Sequence, residues 1–193
     1  MKKINQPLHL LLAGCCLIGC CLACSNKPTK KLSLQLPKPH YSYTTDTLPF
    51  RFEQSDQARF TARTTKKGEI FCNLLYPQLD AQVYATWHAI EKEQFEQYAK
   101  EAHRLVYQHT TVATAIHIKE YSNPQRETYG LLYQLEGKVA TPIQFSLTDS
   151  TSYFFTASLY FNHSANSDSL RSTLEYIQLD IRRWMDTFEL NRH

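Results

Sequence analysis

Between Ala81 and Val106 the spacing of apolar residues switches from strand-like to helical, and that switch narrows what the chain can become. Ala81, Val83, Ala85 and Trp87 alternate with Gln82, Tyr84, Thr86 and His88, which is the pattern of a strand buried on one side. From Glu91 to Gln108 the apolar positions become Phe95, Tyr98, Ala102, Leu105 and Val106, with charges on the other side. An amphipathic helix packed on a sheet follows.

The same alternation recurs elsewhere. Leu48, Phe50 and Phe52, then Phe60 and Ala62, mark two short strands, and Ile70, Cys72 and Leu74 share one face of another. Pro77 to Asp80 forms a hairpin connection between that strand and the next. Beyond the helix, four runs read as an antiparallel meander: Thr114 to Tyr121, Glu127 to Leu135, Pro142 to Thr148 and Tyr153 to Asn162. Leu170, Leu174, Ile177, Ile181, Trp184 and Phe188 then form one stripe of a second helix, with Ser167 or Asp168 as its cap. The expected fold is α+β: a single domain over 41–193, with a largely antiparallel sheet covered by helices at about 91–108 and 168–188.

The N-terminus follows different rules. Lys2 and Lys3 precede an apolar run from Leu8 to Ala23 that is flanked like an export signal rather than a spanning helix. It ends among Cys15, Cys16, Cys20, Cys21 and Cys24, where a lipobox needs a cysteine after two small or aliphatic residues. Leu17-Ile18-Gly19-Cys20 has the right letters, and Cys24 sits where the chain turns polar at Ser25-Asn26-Lys27, so Cys20 and Cys24 are the two lipidation candidates. Residues 1–23 are read as a lipoprotein signal peptide. Residues 24–40, with Pro28, Pro37 and Pro39, are read as a flexible tether. The expected location is the cell envelope, membrane-anchored and facing the periplasm.

Setting aside Lys2 and Lys3, 19 Lys and Arg face 18 Asp and Glu. Such a balance does not point to a nucleic-acid partner. Cys72 is the one cysteine beyond the signal region, so no disulfide braces the domain from within and its core must stabilise it.

No catalytic, cofactor or metal site is legible. The eight histidines are scattered, and no His-Glu-x-x-His, phosphate loop or Gly-x-Ser-x-Gly occurs. Cys72 with His88 or His103 as base is the nearest thing to a thiol nucleophile, but a lone strand cysteine between Ile70 and Leu74 reads as a small apolar residue. Asp46-Thr47-Leu48, Asp149-Ser150-Thr151 and Asp168-Ser169-Leu170 resemble the O-glycosylation acceptor of Bacteroidota. They make Thr47, Ser150 and Ser169 candidate sugar sites, though turns and a helix cap also explain the last two.

The run Thr141-Pro142-Ile143-Gln144-Phe145-Ser146-Leu147-Thr148-Asp149-Ser150, continuing through Leu159-Tyr160-Phe161-Asn162 to Asp168-Ser169-Leu170, resembles the gliding-motility lipoprotein GldD family of Bacteroidota. Cys72 to Leu79, Ala102 to His109, Tyr129 to Gly137 and Asp180 to Glu189 resemble it too. The resemblance implies a non-enzymatic envelope lipoprotein needed for gliding and type IX secretion, supporting other lipoproteins such as GldJ. It implies no cofactor and no catalytic residue. A contact surface is expected among the aromatics of Tyr129 to Phe161, with Tyr133 and Tyr160 as its test positions. The competing reading is a periplasmic module binding a glycan or lipid, since the sheet-and-helix plan also resembles small PsbP-like domains.

Overall fold

The computed structural model describes residues 36–108, 112–162 and 167–191, with side chains in the last stretch from Leu170 onward. The proposed signal, both candidate lipidation cysteines and the tether up to Gln35 lie outside the described residues, as do the side chains of Ser167, Asp168 and Ser169.

The alternating runs become strands. In chain order they are β1 (Tyr41–Tyr43), β2 (Phe50–Arg51), β3 (Glu53–Ser55), β4 (Arg59–Thr64), β5 (Ile70–Tyr76), β6 (Ala81–Ala89), β7 (Ala113–Asn123), β8 (Thr128–Gly137), β9 (Ile143–Thr148), β10 (Tyr153–Phe161) and β11 (Glu189–Leu190). Helix α1 (Phe95–Tyr107) follows β6, and α2 (Ser167–Thr187) follows β10. A seven-stranded antiparallel sheet runs β4-β5-β6-β10-β9-β8-β7. It is two meanders joined where β10 lies along β6, with Phe155 opposite Trp87 and Leu159 opposite Val83. Because β6 and β7 are separated by four strand spacings, α1 has to carry the chain across one face of the sheet.

On the other face lies the main core. Ile70, Cys72, Leu74, Val83, Ala85, Trp87, Phe145, Leu147, Phe155 and Leu159 point the same way, against Ile177, Ile181, Trp184 and Phe188. Phe50 and Phe52 enter the same layer: Phe52 stacks on Trp184 at 4.1 Å between ring centroids and Phe50 on Phe188 at 5.4 Å. Burying each large ring contributes roughly 1.5–3 kcal/mol, so this layer stabilises the domain without a disulfide. Two small pairings fasten the ends of the chain over it: β1 with β3, and β11 with β2, where Glu189 faces Arg51.

Local chemistry explains two tight spots. Gly130 in β8 lies so close to β9 that a Cβ there would sit 1.8 Å from the Ser146 carbonyl oxygen, so only glycine fits. Asp180 interrupts the apolar stripe of α2 and is 4% exposed. Its Oδ1 accepts the Tyr41 hydroxyl at 2.6 Å, with the hydroxyls of Tyr76 and Ser55 nearby, while Oδ2 is buried without a hydrogen-bond partner. Burial raises its pKa above the ordinary carboxylate value, against the lowering effect of those hydroxyls.

The α+β expectation holds: a largely antiparallel sheet with two helices. The differences are local. The expected first helix opens as a single 3-10 turn at Lys92–Gln94 before α1 begins. Leu105, assigned to its buried stripe, is 43% exposed, whereas Val106 is buried against Tyr133 and Leu135. Val106 is the one fully buried residue of α1, so its buried stripe is narrower than its apolar one. The segment around Leu48 to Phe52 folds as the short β2 and β3 rather than as one strand.

Candidate functional site

Helix α1 covers only part of its face of the sheet. Phe95 and Tyr98 lie against Phe154 of β10, Tyr98 meets His88 of β6 at 4.9 Å, and Val106 closes over Tyr133 of β8. Towards β4 the same face is open. Strand alternation and register bring Arg59, Thr61 and Arg63 of β4 beside Leu75, Asn73 and Phe71 of β5. Next come Gln82, Tyr84 and Thr86 of β6, then Tyr160 and Ser158 of β10. This is a shelf, with α1 as its wall.

The shelf is aromatic and basic. Tyr84 is 51% exposed, Phe71 40% and Tyr160 37%. Tyr84 and Tyr160 meet edge to face at 5.4 Å, and the Arg63 guanidinium lies 5.6 Å from the Phe71 ring centroid. A shallow hollow of ≈ 420 Å³ between β4, β5 and β6 is lined by Thr61, Arg63, Phe71, Asn73, Tyr84 and Thr86. The Asn73 side-chain oxygen is buried there without a hydrogen-bond partner. Within β4, β5 and β6 no residue on this face is acidic; Glu69, just before β5, shares the face, but its carboxylate lies 3.6 Å from His88 and 3.4 Å from the Thr65 hydroxyl. Among the described residues neither Arg59 nor Arg63 forms an ion pair.

A second concavity, ≈ 380 Å³, is lined by Arg126, Asp149, Tyr153 and Glu189. Its charges are already engaged. Glu189 binds Arg126 and also accepts Arg51 Nε at 2.6 Å, and Arg51 reaches Asp46 at 3.3 Å. Asp149 Oδ1 accepts the backbone N–H groups of Thr151 at 2.8 Å and Ser152 at 2.7 Å. Burial pushes its carboxyl up, but the bonds from Ser152, Thr151 and Tyr153 outweigh it and hold the pKa below the usual value. This notch clasps β11 and the β9–β10 turn to the rest of the fold.

The thiol reading does not assemble. Cys72 is buried on the α2 face and desolvation pushes it up to about 12, so it is an un-ionised, apolar core residue. His88 has the opposite strand parity and projects from the α1 face, where it lies 3.6 Å from Glu69. His103 is exposed on α1, beside Tyr107. The sheet stands between the thiol and both imidazoles. Among the described residues no group of three or more His, Cys, Asp or Glu could hold a metal ion.

The expected contact positions separate. Tyr160 stands on the open shelf, but Tyr133 is 2% exposed beneath α1 and offers no surface. Most of the aromatic stretch from Tyr129 to Phe161 is roofed by that helix or turned into the core. The exposed platform lies instead on β5 and β6, and Phe71 and Tyr84 were the residues overlooked. Their signal was present: Phe71 and Tyr84 both occupy the phase of their strands opposite the core positions, beside Asn73 and between Gln82 and Thr86. Of the candidate sugar acceptors, Thr47 is exposed, with its hydroxyl 3.0 Å from that of Thr45. Ser150 is half-buried at φ +66°, in a turn fastened by Asp149. Ser169 lies in the first turn of α2.

The profile of the gliding motility lipoprotein GldD family matches residues 23–190. The chain belongs to this family. The match runs through every strand and both helices and ends on Leu190, the last residue of β11. As a GldD-family member the chain is a gliding-motility-related lipoprotein associated with the cell envelope. Among the described residues no helix is long and apolar enough to cross a membrane. No curated protein matches the chain.

Proposed function

We propose that this GldD-family chain is a membrane-anchored envelope lipoprotein that serves gliding motility or type IX secretion as a non-catalytic accessory, supporting or stabilising other lipoproteins of the machine, GldJ among them. Family membership over residues 23–190 carries the reading. The folded domain fits this reading, because its surface offers a contact shelf, and Cys72 is buried on the face opposite His88 and His103. Residues 1–23 act as the export signal and 24–40 as the tether, with the domain facing the periplasm. Of the two candidate anchors, only Cys24 falls within the family match, which begins one residue before it. That favours Cys24 over Cys20. Sugar attachment at Thr47 fits its exposure best, and intact-mass analysis of the native protein tests it.

Quantitative proteomics of envelope and culture medium, from a strain lacking the protein beside a complemented control, tests the main reading. The expected result is loss of secreted cargo together with selective depletion of one or two envelope lipoproteins. Unchanged secretion and unchanged lipoprotein levels would overturn it. The second reading, a glycan- or lipid-binding module, draws on the exposed Phe71, Tyr84 and Tyr160 beside amide and hydroxyl side chains, and would then take first place.

A further inference from the structure

The geometry points to β4 as the docking edge for an extended, acidic segment of a partner protein, which joins the sheet beside β4 and lays carboxylates against Arg59 and Arg63. This rests on the accessory reading above and names the chemistry of its contact.

The outer edge of β4 has backbone groups to offer. Thr65 lies opposite Glu69 and donates its N–H to the Glu69 carbonyl at 2.8 Å. Hydrogen-bonded and non-bonded pairs alternate along an antiparallel ladder, so Phe60, Ala62 and Thr64 turn their N–H and C=O groups away from β5. None of these three finds a backbone partner on the outer side among the described residues. A free edge of this kind is the template that strand addition uses.

The side chains select the occupant. Alternate residues of an added strand would project onto the shelf beside Arg59, Thr61 and Arg63, where two guanidiniums form no ion pair, the nearby Glu69 is engaged by His88 and Thr65, and Phe71 offers apolar area. Carboxylates at alternate positions meet that arrangement, because guanidinium binds carboxylate in a fork. The turn beyond β4 adds exposed Lys66 and Lys67. The opposite edge of the sheet, β7, shows no such bias: Lys119 and Glu120 are adjacent, and His117 pairs with Glu136 at 3.1 Å. A second copy of this chain is a poor occupant of β4, since edge-to-edge pairing would set arginines against arginines. A flat bilayer is poor too, because α1, about 10 Å in diameter, stands beside the shelf.

The test is photocrosslinking in living cells with the full chain carrying p-benzoylphenylalanine at Thr64. It is repeated in two further variants, Ala62→Pro and the pair Arg59→Glu with Arg63→Glu. Proline at position 62 removes an N–H that β5 does not use, so the edge is blocked while the fold stands. The charge reversal leaves the backbone edge intact. The expected adduct maps to an extended segment of another envelope lipoprotein with Asp or Glu at alternate positions, and its yield falls about tenfold in either variant. Four results would overturn the inference: no adduct, an adduct on lipid, glycan or a second copy, an adduct on a segment lacking carboxylates, or a yield that neither variant changes. If deletion of the protein depletes envelope lipoproteins but both variants keep them at wild-type level, the edge inference fails and the accessory reading stands. If deletion itself changes nothing, the accessory reading fails.

Discussion

The two faces of the seven-stranded sheet are built from the same strands, yet they are under different constraints. The α2 face is filled edge to edge by rings and branched chains, with Phe50, Phe52, Phe155, Trp184 and Phe188 each no more than 2% exposed. The α1 face is half roofed, and its open half keeps Phe71, Tyr84 and Tyr160 in contact with water. A protein that needed only to fold would spend its aromatics on the first face. Rings held on the second, beside arginines without ion pairs, stabilise the fold little and leave apolar area open to water, which is the surface the proposed contact would use.

Substitutions can sharpen that contrast, and urea denaturation of the detergent-solubilised chain measures it. The largest effect belongs to Trp184→Ala, which should lose about 3–5 kcal/mol, because the cavity opens between Phe52, Phe145 and Phe155. An unchanged midpoint would mean the α2 face is not the main core. Gly130→Ala should cost about 1–3 kcal/mol by forcing β8 away from Ser146. Asp180→Asn should act in the opposite direction. Burial raises the folded-state pKa of Asp180, so its favourable contribution is complete below the unfolded value and is lost as pH rises through the folded one. The asparagine variant is therefore more stable than wild type at pH 7, and its advantage shrinks towards pH 4. A growing advantage on acidification would refute this. The smallest effect is expected at Tyr84→Ala on the open shelf, within about 0.5 kcal/mol of wild type. A large loss there would erase the distinction between the faces.

Much of this fold was legible because strand and helix periods are clean where one face is buried. Ala81 to Ala89 and the stripe from Leu174 to Phe188 are such places. What could not be read was which regions of the second face the crossover helix would cover. In β9, Ile143, Phe145 and Leu147 alternate with Gln144, Ser146 and Thr148, which looks half exposed, yet all six are buried because α1 and the neighbouring strands close over the polar phase. Tyr133 was misplaced for the same reason. Conversely, Phe71 and Tyr84 are exposed because α1 passes them by. The pairing of β11 with β2 had no local signal, since two-residue strands carry no period. The buried Asp180 was hidden among the charges of a helix on which Glu175 and Asp186 are exposed.

The chain enters the fold at a mechanically distinctive point. The Pro37 carbonyl accepts the Tyr176 hydroxyl at 2.9 Å, His40 and Asp56 exchange backbone and side-chain bonds, and the next residue, Tyr41, is the one whose hydroxyl is held by the buried Asp180. A pull applied to the chain ahead of Pro37 would reach the Tyr41–Ser55 end of the β1–β3 pairing before the rest of it, where backbone bonds alone would open in sequence like a zipper. The hydroxyl–carboxylate link fastens that first tooth to α2. Load is passed into α2 before the β1–β3 pairing can peel.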